Sequence, residues 1–303
     1  MWWKKLLGIS LVSNSSNHDH TDMKDQSNLK VIIRTDLGNI RTNNEDTGLF
    51  FRVADDQITH EKGSLLIVAD GMGGHQAGEV ASKMAADIVC KEYFKINGKG
   101  NIEKNLAKSF ALANKNIFAA ASADAGLKGM GTTCTALLVI NKQVWYAHAG
   151  DSRAYFIKNK TISRITTDHT LIQELLKSGE LTIEQAEKHP QRNILTNAMG
   201  TKPTLKVDTG KCDLLFETDD KLLLCSDGLY EYLSDEEIAE VVNNATIQHA
   251  AEQLVAEAKL RGGHDNITIV LAVNFNEQLA ATAVNEKVTK DFIIPVTKEI
   301  DLI

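Results

Sequence analysis

The chain has 303 residues, of which 43% are hydrophobic and 24% are charged, and its formal net charge is -7. These proportions are ordinary for a folded globular protein, and the acidic balance argues against nucleic-acid binding. No apolar run reaches the roughly 20 residues that a membrane-spanning helix needs. The four cysteines show no Cys-x-x-Cys spacing, which argues against a zinc site or a disulfide framework and favours a reducing cytoplasm.

The first 28 residues are predicted to form a flexible leader. Residues 1–12 place two tryptophans beside two lysines, a composition that would suit contact with a membrane surface. The segment is short, however, and a disordered leader is the favoured interpretation. Residues 13–28 are polar and contain almost nothing apolar, so order is expected to begin near Leu29.

Hydrophobic periodicity predicts the next helices and strands. The predicted strands are 31–33, 49–53, 65–69, 132–140, 144–148, 154–157 and 161–165, and the predicted helices are 78–94 and a second one from the cap Asn101 to residue 122. Short strands joined by tight turns are expected to pair antiparallel, because a parallel crossover needs a dozen or more residues.

Two short helices are predicted to interrupt the strands within residues 168–195, which resemble a mobile insertion. Thr170 and Thr182 each begin a sequence of the capping-box type. The remaining predictions are strands at 205–207, 221–225 and 266–275 and helices that begin after Ser234 and Thr246. Residues 276–303 form a tail without a clear period. This order of elements predicts an α+β protein with layered sheets.

Three aspartates stand where apolar segments end or begin. Asp70 follows the apolar run 65–69, Asp227 follows 222–226, and Asp265 precedes 267–271. Buried aspartates that converge would repel one another unless a cation lay between them. Ligands that are all oxygen select hard cations such as magnesium and manganese. The pattern therefore indicates a metal enzyme.

Three further segments carry groups suited to phosphate chemistry. The glycine-rich turn 70–79 joins a strand to a helix, and Gly71 could turn its carbonyl towards a cation. No Lys-Ser or Lys-Thr follows, so this turn is not a P-loop. Arg41 offers a planar fork for phosphate oxygens, and Glu45 and Asp46 add carboxylates that could hold water. Asp151 lies in a hairpin corner. Each of these segments alone is typical of an ordinary turn.

Their joint order resembles the metal-dependent protein phosphatase (PPM) family, the type 2C serine/threonine phosphatases, and its compact bacterial members above all. The matching segments are 41–46, 70–79, 131–133, 149–153, 226–228 and 265–266, and residues 168–200 are similar to the family's flap. The resemblance implies a central sandwich of two antiparallel β-sheets with helices on both outer faces. It places the phosphatase domain at 29–275, with the flap at about 168–195.

The resemblance also implies two Mn²⁺ or Mg²⁺ ions between the sheets, and a third ion in bacterial members. Asp70 would bridge the first two ions and Gly71 would give its carbonyl to one of them. Asp227 and Asp265 would complete the shell of the other. Asp151 would hold the third ion together with Asp227, and Asp168 is a further candidate for that third site.

The remaining roles concern water and phosphate. By the same resemblance, Glu45 would act through ordered water, Asp46 would orient the nucleophilic water, and Arg41 would bind the phosphate. Met72 stands where many eukaryotic members have a histidine that is a candidate general acid. The proton for the leaving alkoxide is then expected to come from a metal-bound water, and His75 is expected to be structural or solvent-facing.

The leading hypothesis is a cytoplasmic, monomeric phosphoserine/phosphothreonine protein phosphatase that uses a metal-bound water or hydroxide. Its expected partners are phosphorylated proteins, namely the targets of a serine/threonine kinase and the kinase itself. The alternatives are a catalytically inactive binding module on the same fold, a phosphatase for anti-sigma antagonist proteins, and a two-metal nuclease or nucleotide hydrolase. The complete set of metal-position carboxylates argues against the first alternative, and the acidic balance argues against the last.

Overall fold

The computed structural model describes residues 29–53, 56–73, 76–95, 100–187 and 189–275. The predicted leader, the predicted tail and His75 lie outside these residues, and the division of the chain into leader, domain and tail stays a prediction. None of the helices in these ranges is long and apolar enough to cross a membrane.

The described residues form eleven strands and eight α-helices. The strands are β1 Leu29–Asp36, β2 Asp46–Phe51, β3 Ser64–Met72, β4 Gly131–Thr132, β5 Cys134–Ile140, β6 Gln143–Ala149, β7 Arg153–Lys158, β8 Thr161–Arg164, β9 Asp208–Leu215, β10 Lys221–Cys225 and β11 Ile267–Asn274. The helices are α1 Asp56–Lys62, α2 Gln76–Lys95, α3 Ile102–Ala123, α4 Leu171–Ser178, α5 Ile183–Glu187, α6 Asp227–Tyr230, α7 Asp235–Asn244 and α8 Ile247–Leu260.

These strands form two sheets. One has the order β1-β11-β10-β7-β8, and the other has the order β2-β3-β5-β6-β9, with β4 paired to the end of β3. Every strand pair is antiparallel. The predicted antiparallel sheets are therefore confirmed.

The central strands carry apolar side chains on both of their faces, so one face packs against the other sheet and the opposite face packs against helices. In β3, Leu66 and Val68 pack in the core between the sheets, whereas Leu65 and Ile67 face α2 and α3. The other sheet packs its outer face against α6, α7 and α8 in a separate core. Helices thus cover both outer faces, which confirms the predicted sandwich, and the central strands have no solvent-facing side.

The helix starts follow the predicted caps. The Asn101 side chain accepts a hydrogen bond from the Lys104 amide at the start of α3. Ser234 and Glu237 form a reciprocal capping box at α7, and Thr182 and Gln185 do the same before α5. The caps satisfy backbone donors that the first helical turn leaves free.

Three local predictions were wrong or incomplete. Strands β6 and β7 are joined by the tight turn 150–152 but lie in opposite sheets, so the turn crosses the sandwich, and Gly150 adopts φ 115° within it. Residues 205–207 are not a strand: Leu205 and Val207 pack against the helix-side core, and β9 begins only at Asp208. Helix α1 was not predicted.

The inter-sheet core gives a first testable prediction. Leu137 in β5 is fully buried there, whereas Leu260 at the end of α8 is 82% exposed. We expect Leu137→Ala to lower the free energy of unfolding by about 2–5 kcal/mol, because the lost contacts leave a cavity. The matched Leu260→Ala should change it by less than about 0.5 kcal/mol. Chemical denaturation in EDTA measures both, and equal effects would contradict this placement of Leu137.

Candidate metal centre

Four of the predicted aspartates gather at one end of the sandwich. Asp46 begins β2 directly opposite Asp70 in β3. In the other sheet, Asp227 follows the end of β10, and Asp265 lies just before the start of β11. The Ser226 hydroxyl donates a 2.8 Å hydrogen bond to Asp46 Oδ2, which joins the two sheets at this end.

The electrostatics show that these carboxylates share one site. Burial, followed by the charges of Asp46 and Asp227 and then those of Asp151 and Asp265, raises the pKa of Asp70 well above its usual range. Burial, followed by the charge of Asp151, does the same to the pKa of Asp227. Such mutual repulsion in a dry site favours either protonation or a bound cation.

Two of these aspartates also carry oxygens without a partner. Among the described residues, Asp46 Oδ1 and Asp227 Oδ1 are buried side-chain atoms that receive no hydrogen bond. Buried polar atoms are normally satisfied, so these two oxygens are free to bind a cation or an ordered water. No three His, Cys, Asp or Glu side chains in the described ranges form a ready metal cluster. The carboxylates nevertheless lie close enough to raise one another's pKa, and a donor set made only of oxygen fits Mn²⁺ or Mg²⁺.

The backbone around Asp70 is held firmly by the next strand. The Asp70 amide donates to Thr133 Oγ1 at 2.9 Å, and the Asp70 carbonyl accepts from the Thr133 amide and the Thr132 hydroxyl. At Gly71 a Cβ would lie 2.2 Å from the carbonyl oxygen of Gly78 at the start of α2. Only glycine at position 71 allows this close approach. The Glu45 side chain also lies beside Gly78.

Arg41 lies at the rim of the site. Its Nη2 donates a 2.6 Å hydrogen bond to Asp265 Oδ2, and its side chain is 51% exposed. Against the effect of burial, the charge of Asp265 and then those of Glu45 and Asp70 raise the pKa of Arg41. The guanidinium is therefore fixed beside the carboxylates while one side stays open to solvent.

Asn266 is a site residue to which the sequence reasoning assigned no role. Its Oδ1 accepts from the Glu45 amide at 2.8 Å, and its Nδ2 donates to the carbonyls of Leu37 and Asn43. One side chain thus fixes the loop that carries Arg41 and Glu45. The only signal in the sequence was its position directly after Asp265.

Asp151 and Asp168, the two residues predicted to bind a third cation, lie in different surroundings. Asp151 is buried in the sheet-crossing turn, where burial and then the charge of Asp168 raise its pKa to about 7. Asp168 itself is held by Arg153, with Nη2 at 2.8 Å, and by Arg164 at 3.3 Å. Its carboxylate therefore serves an ion-pair network in this structure, and its role in a third cation site stays a prediction.

Comparison with known proteins decides the family. A family model described as protein phosphatase 2C matches residues 52–262. The chain belongs to the protein phosphatase 2C family. It is 41% identical over 242 residues to the serine/threonine phosphatase stp of Listeria monocytogenes, which covers 78% of this chain and 93% of that protein. It is 37% identical to protein phosphatase PhpP of Streptococcus pneumoniae over 82% of this chain and 99% of PhpP.

Solved structures of this 2C phosphatase family share the fold. The Mycobacterium tuberculosis serine/threonine phosphatase PstP/Ppp has a TM-score of 0.70 at 34% identity, over 82% of this chain and 99% of its own. The catalytic domain of PstP in complex with two manganese ions has a TM-score of 0.67 at 32% identity, over 81% and 97%. The resemblance inferred from the sequence is thereby confirmed.

Proposed function

We propose that this chain is a protein serine/threonine phosphatase that hydrolyses phosphoserine and phosphothreonine by direct attack of water on phosphorus. The observation that carries the proposal is the cluster of buried, mutually repelling aspartates with two unpartnered oxygens, in a chain of the protein phosphatase 2C family. A catalytically inactive module would have no reason to keep such a cluster, because it destabilises the fold.

The carboxylates are proposed to hold two Mn²⁺ or Mg²⁺ ions. Asp70 would bridge them, with Gly71 completing one shell and Asp227 and Asp265 the other. Glu45 would contribute through water. When bound, such cations activate water and neutralise charge that develops on the phosphoryl group. A relative solved in complex with two manganese ions supports the proposal of two such ions. A third ion is proposed at Asp151 together with Asp227.

Asp46 is proposed to orient the attacking water. Ser226 holds its Oδ2, which leaves the unpartnered Oδ1 to accept a hydrogen bond from water. In the metal-free protein burial raises the pKa of Asp46 to about 6, although the hydrogen bond from Ser226 opposes the shift. The Asp46 carboxylate, which lies beside the attacking water in this arrangement, can receive the proton as the new P–O bond forms.

Arg41 is proposed to bind the phosphate, and the leaving group takes its proton from water. Breaking the ester bond releases a serine or threonine alkoxide, which must be protonated. Met72, with its thioether, has no proton to give. Arg41 would meanwhile neutralise two phosphate oxygens from the open side of the site.

The substrate class is proposed from the relatives. Phosphorylated proteins, among them targets of a serine/threonine kinase and the kinase itself, are the expected partners, and a cytoplasmic monomer is the expected form. The flap at 168–195 is proposed to border the substrate. In support, Asn193 Nδ2 donates to Glu231 Oε1 at 3.0 Å, directly after the helix that begins with Asp227.

The function is tested with a phosphothreonine peptide. The full chain should release phosphate in Mn²⁺, stop when EDTA is added, and resume when Mn²⁺ is returned in excess. A folded, Mn²⁺-loaded protein that hydrolyses neither phosphopeptides nor para-nitrophenyl phosphate would instead support the inactive binding module.

The role of Arg41 gives a second prediction. Arg41→Ala should lower kcat/KM for a phosphothreonine peptide by about 10- to 100-fold, because a hydrogen bond to a charged group is worth about 1.5–3 kcal/mol. Arg34→Ala is the matched control, since Arg34 pairs with Glu252 of α8. Steady-state kinetics measure both variants, and similar losses in the two would show that Arg41 has no special contact with phosphate.

A further inference from the structure

His169 forms hydrogen bonds with both the amide and the carbonyl of Gly150, in the turn that carries Asp151. The Gly150 amide donates to His169 Nδ1 at 3.1 Å, and the His169 amide donates to the Gly150 carbonyl at 2.7 Å. His169 is nearly buried and stands at the start of the flap segment. This two-point contact ties that segment to the sheet-crossing turn.

The imidazole of His169 is itself fixed. Asn197 Nδ2 also donates to Nδ1, at 2.9 Å, while Nε2 lies 3.0 Å from Asp208 Oδ2. Because Nδ1 faces two N–H donors, it must be the acceptor nitrogen, and the proton resides on Nε2, which donates to Asp208. The ring thus bridges the turn and the first residue of β9.

The other two residues of the turn are also fixed by hydrogen bonds, and those of Ser152 extend to the backbone of Asp70. The Tyr230 hydroxyl donates to the Asp151 carbonyl at 3.1 Å, and the Thr135 hydroxyl donates to the Ser152 carbonyl at 2.9 Å. The Ser152 hydroxyl lies 2.6 Å from Thr133 Oγ1, the atom that accepts from the Asp70 amide. Two hydrogen bonds therefore connect the Asp70 backbone to Ser152, the residue directly after Asp151.

We propose that His169 is a positioning residue that sets the place of the Asp151 carboxylate through the Gly150 backbone. The inference rests on the proposed function, because it assumes that Asp151 binds a cation. Partners that orient a metal ligand commonly contribute 10- to 100-fold in metal affinity or activity. His169 touches neither substrate nor cation in this arrangement. It acts by keeping the turn in one conformation.

Three substitutions of His169 separate the hydrogen bonds made at its two ring nitrogens. In His169→Asn the side-chain oxygen falls near the position of Nδ1 and can still accept from Gly150. In His169→Gln the amide reaches the position of Nε2, which preserves the contact with Asp208 but removes the acceptor for Gly150. His169→Phe removes both. Melting in EDTA identifies which variants fold, and the Asn and Gln pair carries the test if the Phe variant does not.

The first readout needs no metal. Hydrogen exchange of the Gly150 amide in the EDTA-treated full chain should stay slow in His169→Asn and become faster in His169→Gln and His169→Phe.

In calorimetric titration with Mn²⁺, the weakest binding step should weaken about 10-fold in the Gln and Phe variants only. Their kcat for para-nitrophenyl phosphate should fall about 10-fold while KM is unchanged. Equal behaviour of the Asn and Gln variants would overturn the inference.

Asp151→Asn separates this inference from the function on which it rests. If Asp151→Asn weakens the same Mn²⁺ step and His169→Gln does not, His169 has no positioning role and the cation role of Asp151 stands. If Asp151→Asn leaves all Mn²⁺ binding unchanged, the proposed third site is wrong and the inference falls with it. Loss of the step in both variants, with His169→Asn close to the unsubstituted chain, supports the inference.

Discussion

Replacing Asp70 with asparagine is expected to abolish Mn²⁺-dependent hydrolysis and to make the metal-free protein more stable. The loss of activity should exceed about 100-fold, the upper range for residues that only orient a ligand, because Asp70 is proposed to touch both ions. The gain in stability follows from the burial of Asp70 and from the charges of the neighbouring carboxylates, which together raise its pKa.

The gain has a clear physical origin. At neutral pH the metal-free protein must either protonate Asp70 or keep a buried carboxylate beside other carboxylates. Asparagine has nearly the same shape and carries no charge, so it removes this repulsion. Melting in EDTA should therefore rise by a few degrees, since 1 kcal/mol corresponds to roughly 2–4 °C for a chain of this size.

Asp220→Asn is the matched control for Asp70→Asn. Asp220 is also buried, but its Oδ2 accepts from Lys158 Nζ at 2.8 Å and from the Glu217 amide at 2.8 Å. Removing this charge leaves Lys158 without its carboxylate partner, so Asp220→Asn should lower the melting temperature and leave kcat unchanged. A destabilised Asp70→Asn would show that Asp70 is not in a repulsive cluster.

The second large effect is a pH-dependent stabilisation by Mn²⁺. We expect the rise in melting temperature caused by saturating Mn²⁺ to be small near pH 4.5 and to grow between about pH 5 and 7. Protons and the cation compete for the same carboxylates, and the pKa of Asp46 is raised to about 6 and that of Asp151 to about 7, first of all by burial. At 100 times the dissociation constant the stabilisation is about 2.7 kcal/mol, or roughly 5–11 °C.

The direction in which the stability of the metal-free protein changes with pH follows from the linkage between proton binding and folding. A carboxyl whose folded pKa is raised binds more protons when folded, so its contribution to stability is present below the unfolded pKa near 3.9 and is lost as the pH rises through the folded pKa. His148 acts in the opposite sense, because burial and then His169 lower its pKa to about 4. The informative quantity is therefore the difference between Mn²⁺-loaded and EDTA-treated protein, measured by calorimetry across this range.

Asp227→Asn should flatten that difference. With one proposed ligand removed, Mn²⁺ should add little stability at any pH between 5 and 7. A full Mn²⁺ effect in Asp227→Asn, or an effect in the unsubstituted chain that is the same at pH 5 and pH 7, would place the cation outside this carboxylate cluster.

Much of this architecture could be predicted from local sequence patterns. Apolar runs with aspartates at their ends predicted both the buried strands and the place of Asp70, Asp227 and Asp265. The caps at Asn101 and Ser234 predicted the helix starts. These features depend on residues that are close in the chain, so periodicity and side-chain chemistry are sufficient to find them.

Contacts between distant segments could not be predicted in this way. The turn 150–152 has the length of a hairpin, yet it crosses between sheets, and nothing local distinguishes the two cases. Ser226 meets Asp46 across 180 residues, and the ring of His169 bonds to partners 19, 28 and 39 residues away. Such partners are brought together by the stacking of the sheets, so they become visible only in the folded chain.

Diffraction at the manganese absorption edge from crystals grown in Mn²⁺ tests the account most directly. We predict two anomalous peaks, roughly 3.5–4 Å apart as in other two-metal hydrolases, with the Asp70 carboxylate between them and Asp227 and Asp265 beside one of them. Full occupancy of Mn²⁺ elsewhere on the protein, with no peak within coordination distance of Asp70, would contradict the account.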